Sequence, residues 1–166
     1  MNPWPTPERA GPGQESVWDY PRPPRLESFA GAISVELGGR VIASTEFSWR
    51  VLETSHPPTY YLPRAAFEAG VLRDAPGASM CEWKGQAHYF DLVSGVAVAA
   101  RAAWTYPRPT PAFTEIAGAI AVMASLVDRC TVDGETVVPQ PGGFYGGWIT
   151  SQVVGPFKGV PGSMGW

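Results

Sequence analysis

Proline and glycine punctuate this chain so closely that few segments can run as long helices. Eighteen prolines and nineteen glycines make up about a fifth of the 166 residues. Proline fixes φ and removes a backbone donor, and glycine weakens a helix interior. The same stretches carry seven Trp, six Tyr and seven Phe. Disordered chains are poor in aromatics, so this composition implies an ordered, turn-rich, mainly β protein. Its length suits one domain with one proper core.

The polar composition excludes several classes of partner. A net charge of −3, with no run of Lys or Arg, gives no broad attraction for a phosphate backbone, so no nucleic acid is expected. No apolar run approaches 18 residues, so no membrane span is expected. The opening MNPWPTPERAGPGQ lacks the basic and apolar regions of a signal peptide. Two cysteines, Cys81 and Cys130, do not make a secreted disulfide framework. These readings place the chain in the cytoplasm, with a single Cys81–Cys130 bridge as the lesser alternative. The oligomeric expectation is a monomer or homodimer.

The chain divides into three parts. Residues 1–27 hold seven prolines and form an extended arm, whose Trp18 and Tyr20 are expected to lie against a folded surface. Residues 28–138 form the β core. Ile33, Val35 and Leu37 alternate before Gly38-Gly39, and Val41 and Ile42 follow, which is a hairpin pattern. Phe47, Trp49 and Val51 alternate along a half-buried strand, and further turns are expected at Ser94-Gly95 and Asp133-Gly134. AAFEAGVL and TPAFTEI are short helix candidates. Residues 139–166 are a Gly/Pro/aromatic tail expected to pack on the core beside the arm.

One word is written twice: WDYPRP at 18–23, followed by AGAISV, and WTYPRP at 104–109, followed by AGAIAV. Each copy places an aromatic and proline-stiffened turn before a strand opened by glycine. Two such strands near the ends of the core suggest a closed, barrel-like arrangement in which first and last strands meet.

VWDYPRPPRLE, VLETSHPPTYYLPRA, CEWKGQAHYF, AAWTYPRP, PQPGGFYGGWIT and GPFKGVPGSMGW together resemble the bacterial family called domain of unknown function 427, which some catalogues label a nucleotidyltransferase. The resemblance covers about Glu15 to Trp166. It implies a compact β domain similar to the β-tent or Mss4-like folds, and little about activity. Where the family pattern reads C-P-W-K-G, this chain has Glu82 in place of the proline, which sets a charge beside Cys81.

The residues themselves argue against nucleotidyl transfer. That chemistry needs carboxylates for Mg²⁺ and a cradle for a triphosphate. The acidic pair Asp133/Glu135 falls in a hairpin turn, and GGFYGGW lacks the Lys-Ser/Thr of a P-loop. Cys81, Cys130, His56 and His88 are enough in number for zinc but lack paired knuckle spacing, so no metal and no cofactor is expected.

Two segments carry the candidate chemistry. In SMCEWKGQAHYF, Lys84 precedes a strand and can anchor an anion or carbonyl. Cys81 lies three residues away, where a lysine ammonium favours a thiolate. Trp83 and Tyr89 flank them. In ETSHPPTYYLPR, Glu53 and His56 are candidate general bases and Tyr60 an electrophilic support. Tyr60 and Tyr61 point to opposite sides if extended, so at most one lines a given pocket. Arg50, Trp104 and Tyr106 complete the expected ligand-binding set. The reading these residues support is a small-molecule binder, with an aromatic-lined pocket for a polar or anionic metabolite. The alternatives are an enzyme using that pocket by acid/base chemistry, and a structural or interaction module whose arm and tail form the contact surface.

Overall fold

The computed structural model describes residues 4–166. Its longest strands are joined by tight turns. β1 (Glu15–Ser16) lies in the arm. β2 (Arg25–Leu37) and β3 (Arg40–Leu52) form a long hairpin whose Gly38 and Gly39 both take positive φ, as a two-residue turn of this twist requires. β4 is Thr59–Tyr61. β5 (Leu72–Cys81), β6 (Gly85–Ser94) and β7 (Ala97–Thr105) form a meander, and β8 is Ile120–Val122. β9 (Arg129–Val132) and β10 (Glu135–Thr136) flank the Asp133-Gly134 turn. The tail contributes β11 (Val138–Pro139), β12 (Trp148–Ile149) and β13 (Val153–Val154).

These strands build a five-stranded sheet, β10-β9-β2-β3-β4, and a four-stranded sheet, β5-β6-β7-β8. The two are joined where Leu62 N–H donates to Ile120 O and Ile120 N–H donates to Leu62 O, both at 2.8 Å. The result is mainly β, with open sheets. The expected closed barrel is therefore corrected. The AGAISV segment lies in β2 at the middle of one sheet and AGAIAV leads into β8 at the margin of the other, so the two do not pair. The helix candidates shrink to single 3₁₀ turns, at Arg64–Ala66 and at Pro111–Ile116, the latter broken at Phe113. Too few consecutive residues are free of Pro and Gly for an α-helical nucleus to be worth its entropy.

Strand alternation divides the apolar residues between two faces. On one face Ile33, Val35, Ile42, Leu62, Leu92, Ile120 and Val122 are essentially out of water and surround Trp148. Each such side chain contributes roughly 1.5–3 kcal/mol through its burial. On the other face Val51, Tyr61, Ala87, Tyr106, Phe113, Ile116 and Ala121 form a second cluster under the 106–119 connection. Cys130 is buried among the first group and Cys81 is half-buried beside the second; both are free thiols.

Arm and tail lie together along the body. β1 pairs in parallel with β13, and Glu8 N–H donates to Gly155 O at 2.8 Å. The Trp18 indole donates to Pro156 O at 2.9 Å, and its ring meets Trp166 edge-on at 5.6 Å. Tyr20 is buried with Val17, Leu52 and Val153, and its hydroxyl donates to Glu15 at 2.7 Å. Core strand β2 begins at Arg25, three residues before the boundary read from sequence. No helix among the described residues is long and apolar enough to cross a membrane.

Trp148 ties the tail to the core. It is 1% exposed, stacks on Tyr60 at 5.1 Å, and its indole donates to Val122 O at 3.0 Å. Trp148→Ala is expected to lower unfolding free energy by about 3–5 kcal/mol in urea titrations. Trp148→Phe is expected to cost less, about 1–3 kcal/mol, because it keeps an aromatic face and loses chiefly the partner of one buried carbonyl.

Candidate functional site

The β5–β6 hairpin tip carries the densest chemistry. Cys81 pairs with Gly85 across a three-residue turn, which returns Lys84 to the side of Cys81. The 106–119 connection pins this tip. Thr110 N–H donates to Lys84 O at 3.2 Å, and the Thr110 hydroxyl donates to Trp83 O at 2.5 Å. The Lys84 ammonium lies over the rings of Tyr106, at 5.7 Å, and Phe113, at 5.9 Å. Cys81 is packed against the same apolar cluster. Tyr61, fully buried, lies against Tyr106 with ring centroids 6.2 Å apart.

The electrostatics of this cluster follow from burial. Burial works against the Lys84 ammonium, yet the nearby Tyr61 and Cys81 groups hold its pKa above the ordinary lysine range, so it is charged. Burial pushes Tyr61 and Tyr106 up, and both remain neutral phenols. No carboxylate lies within ion-pair distance of Lys84 among the described residues.

A second group of side chains borders the first. Glu53 pairs with Arg22 at 3.3 Å and faces His56 Nε2 at 3.6 Å. Gln140 donates to His56 Nδ1 at 3.0 Å, so the imidazole proton sits on Nε2, toward Glu53. Burial, together with the charges of Lys158, Arg22 and Lys84, pushes His56 down to about 4. Tyr145 meets the His56 ring edge-on at 4.8 Å, and Lys158 lies over Tyr145 at 5.5 Å. The loop at 141–147 closes over both groups. A Cβ on Gly146 would come within 2.2 Å of the Trp104 ring, and one on Gly147 within 2.5 Å of Pro57 O, so the backbone can seat here only without side chains.

A family model described as Domain of unknown function (DUF427) matches residues 25–133. The chain belongs to that family. No curated protein matches it. The DUF427 match runs from the first residue of β2 to the β9–β10 turn, and so contains Cys81, Lys84, Tyr61, Trp104 and His56. Gln140, Tyr145 and Lys158, which complete the surroundings of His56, lie in the tail beyond it.

Among the sequence-selected residues, Cys81, Lys84, Trp83, Tyr89, Trp104 and Tyr106 share the second apolar cluster, and Glu53 and His56 border it. The Tyr89 hydroxyl is engaged by Ser79 at 2.7 Å, and Arg101 covers its ring at 4.2 Å. Tyr60 is corrected. Alternation along β4 sends it to the opposite face, against Phe29 and Trp148, and it is Tyr61 that lies by Lys84. Arg50 is corrected with it. Its guanidinium is held between Glu15 and Glu27 and lies in a separate recess of about 370 Å³ with Tyr60, Phe29 and Asp133. Burial works against the charge on both Arg50 and Glu15, but their mutual hydrogen bonds prevail, raising one pKa and lowering the other. Among the described residues, no three His, Cys, Asp or Glu side chains converge as a metal set. Arg22, Gln140 and Lys158 fall in the motifs WDYPRP, PQPGGFYGGWIT and GPFKGVPGSMGW, but these lie far along the chain from His56, and the residues alone give no reason to place them beside it.

The depressed His56 pKa links stability to pH. Above about pH 6.5 the imidazole is neutral in both states and imposes no penalty. Between about 6.5 and 4 the unfolded chain takes up a proton that the folded chain refuses, so stability falls as pH falls, by on the order of 3 kcal/mol at most, and levels below about 4. Urea unfolding from pH 7 to 5 should show this loss, and His56→Gln should flatten it.

Proposed function

We propose that the chain binds a small anion-bearing metabolite at the mouth bounded by Lys84, Trp104, His56 and the 141–147 loop. One observation carries this reading: the Lys84 ammonium is charged, half-buried over aromatic faces, and without a carboxylate partner among the described residues. A cation withdrawn from water is costly unless something compensates it. Nearby, Arg22 and Lys158 add positive charge, and Glu53 supplies a single carboxylate that Arg22 already engages. A local cationic site in a chain of net charge −3 favours anions there and nowhere broadly. The Trp104 and Tyr145 rings supply flat apolar walls of the kind small-molecule sites use.

The acid/base alternative rests on His56, and the geometry weighs against it. Both ring nitrogens are engaged, and a pKa near 4 makes the imidazole a weak proton acceptor at neutral pH. His56 is better suited to positioning: held neutral between Glu53 and Gln140, it supports Tyr145.

The reading is tested by thermal unfolding against a panel of small mono- and dicarboxylates and inorganic phosphate. A bound anion at about 100 times its Kd adds about 2.7 kcal/mol to stability. The expected outcome is a rise in Tm with at least one member of the panel. Lys84→Met should remove that rise and Lys84→Arg should keep part of it. An equal rise in wild type and Lys84→Met would overturn the assignment.

A further inference from the structure

The recess that holds Arg50 takes no part in the anion reading. Cross-strand register builds its floor. Glu27 on β2, Arg50 on β3 and Tyr60 on β4 stand opposite one another in neighbouring strands, and Phe29 lies two positions along β2 on the same face. Its rim comes from distant segments: Glu15 of the arm, Asp133 and Glu135 at the β9–β10 turn, and Thr150 of the tail. The space is about 370 Å³, a size in the range of small-molecule sites.

Charge on this rim is of one sign. Arg50 engages Glu15 and Glu27, and Arg25 also reaches Glu27, at 3.5 Å, so that set is balanced. Asp133 and Glu135 have no ion-pair partner among the described residues. Their oxygens accept from neutral donors: Asp133 from Ala32 N–H at 2.9 Å, Glu135 from the Ser151 N–H at 2.6 Å and hydroxyl at 2.7 Å. A carboxylate oxygen has a second lone pair, so both groups remain open to a cation. An independent observation lies on the floor. Tyr60 is 4% exposed, yet its hydroxyl makes no hydrogen bond among the described residues. The charges that bear on it are those of Arg50, Glu15 and Asp133, all of them walls of this recess, so the hydroxyl points into it. Arg50 turns its donors to Glu15 and Glu27 instead. A buried hydroxyl without a partner is costly.

We propose that this recess binds a small organic cation, a primary ammonium carried on an apolar body. Asp133 and Glu135 meet the ammonium, the Tyr60 hydroxyl accepts one of its protons, and Phe29 and Val132 cover the apolar body. A bare metal ion suits the recess less. It favours a shell of oxygen ligands, whereas Phe29 and Val132 are hydrocarbon walls, and no metal set converges among the described residues. The site is opposite in charge to the Lys84 mouth and stands independently of it.

Amide NMR of the full chain tests this with n-butylammonium chloride at fixed ionic strength, with neutral n-butanol and Mg²⁺ as comparators. The expected result is saturable shifts at the amides of Gly13, Asp133 and Gln152, which n-butanol does not produce. Asp133→Asn and Glu135→Gln should each weaken binding about fivefold, the upper size of a partly exposed ion pair. Tyr60→Phe should weaken it by about the same factor, the worth of one hydrogen bond. Asp133→Asn keeps an acceptor for Ala32 N–H and tolerates the φ of 48° at this position, so the turn survives it. Equal shifts with n-butanol and n-butylammonium overturn the proposal. So do shifts that follow Mg²⁺ alone, shifts still linear at about 100 mM amine, or a Kd that neither acidic substitution changes. If Glu135→Gln unfolds the chain, Asp133→Asn and Tyr60→Phe decide the question.

Discussion

The two reciprocal hydrogen bonds between Leu62 and Ile120 decide how the two sheets meet. They set the end of β4 against β8 and so make one curved surface out of two separate sets of strands. Once that register is fixed, alternation does the rest. Tyr60 must enter the core with Trp148, and Tyr61 must emerge on the other face beside Tyr106 and Lys84. A slip of one residue would exchange the two tyrosines, placing a core ring in the site and a site phenol in the core.

The segments outside the DUF427 match are structural participants. Trp148 fills the inner core, Gln140 fixes the tautomer of His56, and Lys158 lies over Tyr145. Gln140 also donates to Lys158 O at 2.9 Å, and its carbonyl receives Gly147 N–H at 3.0 Å, so one buried amide organises three strands of chain around the imidazole. The arm contributes in turn through Arg22, which engages Glu53, and through Glu15, which engages Arg50. Glu53, the carboxylate nearest the site, is thereby committed to a guanidinium, and among the described residues neither Lys84 nor Lys158 has a side-chain ion-pair partner.

Local order was legible in the sequence and long-range order was not. The Gly38-Gly39 and Asp133-Gly134 turns are short-range properties, and they appear where the residues place them; the alternation through Phe47, Trp49 and Val51 marks a strand but not its buried face, because Phe47 is exposed while Ser48 and Arg50 are buried. The rule that Tyr60 and Tyr61 face apart was readable too. Which of them faces Lys84 was not, because that depends on the 62–120 junction, 58 positions apart in the chain. The repeated Trp-x-Tyr-Pro-Arg-Pro misled for a related reason. Its first copy leads through a 3₁₀ turn to β2, and its second straddles the end of β7, so similar words meet dissimilar surroundings. Cys81 and Lys84 were found together because only a tight turn separates them. Gln140, 84 residues from His56, left no local trace.

The contact between Gly146 and Trp104 ties two distant positions into one heritable unit. Any side chain at 146 collides with the indole, so a sequence that retains the tryptophan is restricted to glycine there. One that shrinks the tryptophan frees position 146 to vary. Drift at 146 is blocked while the indole stands, so the tryptophan must change first or together with it. Divergence of the site in descendants of this chain is therefore expected to be ordered, with the wall changing before the cover.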